Sequence, residues 1–241
     1  MTIIAGGILY AKGESMKLFL LMLILSVKVY AETQVFNSIA RVDGKIAYLE
    51  THTVVYKGNL PTKSLTEFWD PNGKRIGVMR SDFIPNLAAP AFILRDYRHK
   101  SIQGLQWIKG NPEVFTQEQG KPRIVKKFVH TSNQVRIAGP GLVYFIAANL
   151  EKLISKKIFN FQYIIPGRIE VFDFNIKTIA HNSEVAEFEV RMNSMLRFFS
   201  PALKLIYSIQ KKRLIFYEGP SNIRDEEWKM MIVDIKYVYE N

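Results

Sequence analysis

Between residues 184 and 192 apolar and polar side chains alternate. Ala186, Phe188, Val190 and Met192 fall on one side, and Glu187, Glu189 and Arg191 on the other. Residues 229–239 repeat the pattern, with Met231, Val233, Ile235, Tyr237 and Tyr239 opposing Asp234 and Lys236. A period of two predicts strands with one buried and one wet face, as in antiparallel sheets. Two further runs, 65–70 and 75–82, flank Pro71-Asn72-Gly73-Lys74. Asn-Gly readily takes the positive backbone angles of a tight turn, so a β-hairpin is predicted there. Other predicted strands are 47–56, 92–98, 102–109, 123–130, 158–165, 169–179, 202–209 and 214–218. Gln210-Lys211-Lys212-Arg213 reads as a charged hairpin tip. This succession of strands suits a sandwich or open barrel and not βαβ units.

One segment departs from the pattern. Over residues 141–157 the apolar side chains fall at Leu142, Ile146, Leu150 and Leu153, with Val143 and Ile154 beside them. That is helical spacing. Gly139-Pro140-Gly141 marks its start, and Lys156-Lys157 its end, where cations complement the helix dipole. The predicted fold is therefore mainly β: an antiparallel curved sheet forming a half-barrel or open barrel, with one amphipathic helix covering it. No internal repeat or linker divides the chain, so residues 32–241 are expected to form a single β-rich domain.

The first 31 residues read as a signal peptide. Met16-Lys17 precedes the apolar run 18–27, and Val29-Tyr30-Ala31 places small residues where a signal peptidase reads. A run of about ten apolar residues suits a signal core and is too short for a membrane span. Met16 is a second candidate start. Cleavage near Ala31 would deliver the chain to the periplasm or the exterior. The formal net charge is +11, and the leader contributes only three lysines against one glutamate, so most of that charge stays with the exported part. A basic exported protein is expected to face an anionic membrane surface or an acidic envelope protein; nucleic acid is not an expected partner.

The sequence offers little catalytic chemistry. There is no cysteine, which excludes disulfides, Cys-ligated metals and a thiol nucleophile. His52, His99, His130 and His181 are widely separated and form no metal-binding pair. No serine sits in a nucleophile elbow, and no glycine-rich phosphate loop occurs. Glu187 and Glu189 share a face with Arg191, as a solvated surface does. Asp225-Glu226-Glu227 reads as an acidic loop. Residues 217–223, Tyr-Glu-Gly-Pro-Ser-Asn-Ile, read as a sharp turn, either a rigid hairpin connection or a ligand rim. No catalytic residue, metal or cofactor is assigned.

The aromatics are more suggestive. Phe159, Phe161 and Tyr163 share one strand face, and Phe172, Phe174 and Phe216 occupy later strands. They form either ordinary sheet core or the wall of a cavity for an acyl chain. In the second case Lys156, Lys157, Arg168 and Arg197 are the candidate cations for a headgroup, and Phe161→Asp is expected to remove the ligand from a folded protein.

The order of elements also carries a resemblance. A signal is followed by antiparallel strands, a helix entered through Gly139-Pro140-Gly141, and then Lys-Arg-Leu-Ile-Phe-Tyr-Glu-Gly (212–219) and Met-Met-Ile-Val-Asp-Ile-Lys-Tyr (230–237). This layout resembles uncharacterised exported proteins of Gram-negative bacteria. More distantly it is similar to the lipoprotein-carrier (Lol-type) half-barrel superfamily. The nearest stretches are 139–149 and 214–223. The resemblance implies an apolar cavity for a lipid-like ligand, not lipoprotein transport itself. The expected function is an exported protein that carries or senses an amphipathic ligand. The rival expectations are an interaction module of the cell envelope without a small-molecule ligand and, third, an exported hydrolase, for which His52 or His181 would have to lie beside a carboxylate.

Overall fold

A computed structural model describes residues 31–129, 134–193 and 201–239. The predicted leader up to residue 30, His130, Arg197, Phe198 and Phe199 lie outside the described residues. Fifteen strands follow in chain order among those described: β1 (Ala31–Val42), β2 (Lys45–Lys57), β3 (Leu60–Trp69), β4 (Arg75–Asp82), β5 (Ala91–Asp96), β6 (Ser101–Ile108), β7 (Asn111–Gln117), β8 (Ile124–Lys127), β9 (Arg136–Ala138), β10 (Ile158–Ile165), β11 (Glu170–His181), β12 (Val185–Met192), β13 (Leu203–Ser208), β14 (Arg213–Arg224) and β15 (Met230–Tyr239). Two helices, α1 (Gly141–Ala148) and α2 (Leu150–Lys156), lie between β9 and β10.

All fifteen strands belong to one sheet. Its spatial order is β8-β7-β6-β5-β4-β3-β2-β1-β15-β14-β13-β12-β11-β10-β9. Two long meanders are thus stitched together at the centre, where the first strand pairs with the last, Phe36 opposite Tyr239. Every described pair is antiparallel except β9 with β10. The expected hairpin is present: β3 and β4 pair around Asn72-Gly73, with Gly73 at φ +81° and Asp70 Oδ1 accepting the N–H groups of Asn72 and Lys74.

The sheet curls until its distant parts meet. Ile164 of β10 shares a packed cluster with Leu105 of β6 and Val114 of β7. Trp107 Nε1–H donates to the carbonyl of Ala89, and Ala138 N–H to that of Ala88. Gly141 opens α1 where a Cβ would lie 1.9 Å from the Ala88 carbonyl oxygen, so only glycine allows this approach. The β14–β15 turn folds across one end, where His99 Nε2 meets the Asp225 carbonyl at 2.7 Å and its ring packs edge-on against Trp228. Toward the other end α1 bridges opposite walls. Tyr144 stacks edge-on against Phe83, and Tyr207 Oη–H donates to the Val143 carbonyl.

Three expectations need correction. The single helix over 141–157 is two, broken at Asn149 (φ −121°, ψ 18°), whose side chain donates to the Phe145 carbonyl. Asparagine competes for its own helix's backbone in this way. The sharp turn expected at 217–223 is strand: β14 runs on to Arg224 through a register shift, and Ile223 is fully buried. The connection is instead the acidic tip, where Asp225 Oδ1 accepts the N–H groups of Glu227 and Lys229. Finally β1, β7 and β9 were not anticipated as strands.

No helix among the described residues is long and apolar enough to cross a membrane.

Candidate functional site

The interior has two regions. The first is the inner face of β10–β13, covered by the helices. Leu142, Ile146, Leu150 and Leu153 of the helices pack on Phe161, Phe174, Phe188 and Tyr207 of the sheet, all buried. Phe161 lies directly opposite Phe174, and Tyr163 opposite Phe172, so these four aromatics share one face. Phe159 joins them against Phe145, with ring centroids 5.5 Å apart. Phe216 does not. It pairs with Ile206 and Lys236, while its neighbour Tyr217 pairs with the inward residues Leu205 and Ile235. Phe216 therefore points to the opposite, outer side of the sheet.

The candidate cations are not gathered either. Lys156 and Lys157 are exposed just before β10, and Arg168 is exposed just after it. At about 3.3 Å per residue the strand between them separates the two groups by roughly 25 Å. Arg168 instead lies over the Phe172 ring at 6.0 Å, and Arg197 is outside the described residues.

The second region runs across β15, β1, β2 and β3. Register places Tyr237, Ser38, Glu50 and Phe68 in one cross-strand row. The next row is Tyr239, Phe36, His52 and Thr66. The alternation that makes Phe36 and Ala40 inward also makes Ser38 inward, so a polar stripe enters the interior. Ser38 is 1% exposed and Glu50 4%. The Ser38 hydroxyl donates to Glu50 Oε2. His52 Nε2 lies 3.0 Å from the same carboxylate oxygen and 3.2 Å from Ser38 Oγ, and its Nδ1 lies 3.1 Å from Thr66 Oγ1. Phe36 stacks on the imidazole at 4.6 Å.

This places His52 beside a carboxylate, as a hydrolase would need, but in another order. A nucleophile–base–acid relay puts the serine on one imidazole nitrogen and the acid on the other. Here Ser38 and Glu50 meet the same nitrogen, and the serine hydroxyl is already given to the carboxylate. The arrangement holds a carboxylate in place; it does not prepare an alkoxide.

Tyrosines surround the stripe. Burial, with the negative charge of Glu50 adding to it, pushes the hydroxyls of Tyr48, Tyr217 and Tyr237 well up. Burial alone pushes Tyr163 up to about 12, against a weak bond to the Gly139 carbonyl. Yet Tyr163, Tyr217 and Tyr237 keep intermediate exposure. These rings are crowded by neighbouring residues yet keep accessible surface on the concave side of the sheet. Tyr217 and Tyr237 pack against both core clusters and so mark the seam between them. Most hydroxyls here are used: Tyr48 pairs with Ser221 Oγ at 2.9 Å, and Tyr217 donates to the Pro220 carbonyl. Two polar atoms are not. Among the described residues, Tyr237 Oη and Glu50 Oε1 have no hydrogen-bond partner, and neither is sealed from solvent.

Sequence reasoning did not select this stripe. Ser38, Glu50 and Thr66 are polar at inward positions, where alternation reads polar residues as facing water. It also did not select an open depression of about 390 Å³ on β3–β7, lined by Lys63, Arg80 and Arg123 around Asp82 and Phe115. Among the described residues no group of three or more His, Asp or Glu side chains is arranged to hold a metal ion.

No family model matches the chain, and no curated protein matches it. Among solved structures it is similar to a β-barrel-like protein of the domain of unknown function DUF1849 from Brucella abortus. The two are 9% identical, the match covers 90% of this chain and 100% of that one, and the TM-score is 0.37.

Proposed function

We propose that the protein is an exported binding protein of the cell envelope that holds an amphipathic, lipid-like ligand inside its curved sheet. The observation that supports this reading is the accessible surface that Tyr217 and Tyr237 keep at the seam between two packed clusters. Aromatic walls with a few fixed polar groups are the usual make-up of a small-molecule site. The acyl portion belongs at this seam. The face under the helices is filled by Leu142, Ile146 and their partners and has no room for it. Each methylene removed from water there contributes about 0.8 kcal/mol. Export enters the reading from the signal-like leader and is checked by the N-terminus of protein recovered from the envelope fraction.

The test is native mass spectrometry of the exported chain, followed by organic extraction. The expected result is a bound amphiphile in the natural protein and none in Tyr217→Trp/Tyr237→Trp, which fills the seam. An unliganded natural protein that also fails to take up decanol overturns the reading.

A second reading has a specific observation of its own. Lys63, Arg80 and Arg123 around an open depression suit an acidic envelope protein. Such contact would weaken steeply with salt, since exposed charges are screened within about 10 Å at 0.1 M. Binding in the interior would not.

A further inference from the structure

We infer that the polar end of the ligand is a cation, an alkylammonium group held at Glu50 and Tyr237. This rests on the interior-binding reading above and reverses the headgroup charge that the lysines of the sequence suggested.

Glu50 is a carboxylate almost wholly withdrawn from water. No lysine or arginine among the described residues forms an ion pair with it; the nearest titratable base is His52, with Nε2 at 3.0 Å. Both of its described hydrogen bonds reach Oε2, leaving Oε1 to accept from something else. Oε1 keeps accessible surface and a free lone pair, so a ligand can reach it, and a cationic donor is the partner a carboxylate oxygen holds most strongly. Tyr237 stands one strand beyond Ser38 in the same cross-strand row, close enough to feel the Glu50 charge, and its hydroxyl is also unused. Aromatic side chains lie around them: Phe36, Tyr217, Tyr237 and Tyr239. Ring faces attract cations and offer an anion nothing comparable. A carboxylate set among tyrosine and phenylalanine side chains is the chemistry that recognises an amine or quaternary ammonium attached to an apolar body. A fatty acid or phosphate headgroup in the same place would meet Glu50 with like charge.

The experiment compares decylamine, decyltrimethylammonium, decanol and decanoate, each below its micelle concentration, by calorimetry on the full exported chain at neutral pH. The two cations are expected to bind about tenfold or more tighter than decanol, and decanoate weaker still. In Glu50→Gln that preference collapses to within about twofold. In Tyr237→Phe decylamine loses affinity while decyltrimethylammonium, which donates no hydrogen bond, keeps it. Circular dichroism reports whether each variant is folded, and the comparison of the four probes on the natural protein stands even if Glu50→Gln is not. If decanol or decanoate binds as tightly as the cations, or folded Glu50→Gln keeps the full preference, the cation inference is overturned while interior binding survives. If none of the four binds, the interior-binding reading itself fails.

Discussion

The inner face of this sheet is built in two ways. Over β10–β13 it is phenylalanine, leucine and tyrosine closed by two short helices, and buried aliphatic groups fill the space between. Over β15, β1, β2 and β3 α1 reaches in only through Tyr144, beside Tyr56 and Phe83, and a polar stripe of Ser38, Glu50, His52 and Thr66 in two adjoining rows faces tyrosines that keep accessible surface. The first arrangement is what burial alone favours. The second withdraws a carboxylate from water, which a purely structural core gains nothing by doing. The contrast separates the part of the interior that packing explains from the part to which the binding proposal applies.

The strongest way to break that contrast is at Phe161. It is 1% exposed and wedged between Phe174, Tyr163 and the helices. The sequence expectation was that Phe161→Asp leaves a folded protein without ligand. The packing reverses this: an unpaired carboxylate in a dry core costs about 4 kcal/mol or more, so the variant is expected to unfold or melt far below the natural protein. Phe216→Ala, at an outward position of the same aromatic set, is expected to cost about 1 kcal/mol or less. Urea titrations of the pair read the difference, and equal costs would mean that the two residues do not differ in burial as described.

How far the fold was legible follows from where inward residues are apolar. β12 and β15 alternate cleanly in sequence and were found at once. In β1 the inward residues include Ser38 and Ala40, which carry no hydrophobic signal, so a central strand passed as featureless. In β14 Gly219-Pro220 reads as a turn, yet the strand shifts register at Pro220, where a missing N–H does little harm to the ladder. The site was hidden for the same reason as β1. Ser38, Glu50 and Thr66 come from three strands, and only the register places them in adjoining rows. The aromatic residues that sequence did find are those whose alternation was strong, and strong alternation marks filled core.

Alkaline pH is expected to sharpen the comparison next. The hydroxyls of Tyr48, Tyr144, Tyr163, Tyr207, Tyr217, Tyr237 and Tyr239 are all raised, by burial first. For an acid whose folded value lies above its unfolded value near 10, the native state binds the extra proton. The stabilisation is therefore complete below about pH 10 and is lost as pH rises toward the folded values, about 12 for Tyr163. Tyrosinate absorbance from these seven should rise with unfolding and not ahead of it. Smooth titration of all tyrosines near pH 10 in protein that circular dichroism shows folded would contradict the enclosed seam.

Two hydroxyl deletions give a smaller effect. Tyr207 spends its hydroxyl on the Val143 carbonyl and fixes α1 to the wall, so Tyr207→Phe is expected to cost about 1 kcal/mol. Tyr237→Phe removes a hydroxyl with no described partner and should leave thermal stability unchanged or slightly raised. The reverse ranking in thermal melts would place the structural hydroxyl on the wrong wall.

The smallest expected effect is none, and it falls on Ser38. A serine, a histidine and a glutamate in mutual contact invite a test with a fluorophosphonate, which labels serines whose proton an adjacent base removes. Ser38 Oγ donates to Glu50, and the imidazole nitrogen nearest to it is shared with that same carboxylate. Activation would need the acid on the far nitrogen, which faces Thr66. Labelling is accordingly expected to be absent from the natural protein and from Thr66→Val alike. Stoichiometric phosphonylation of Ser38 would show that the stripe rearranges into a catalytic order, and would turn the less ordinary half of this interior from a binding wall into an active site.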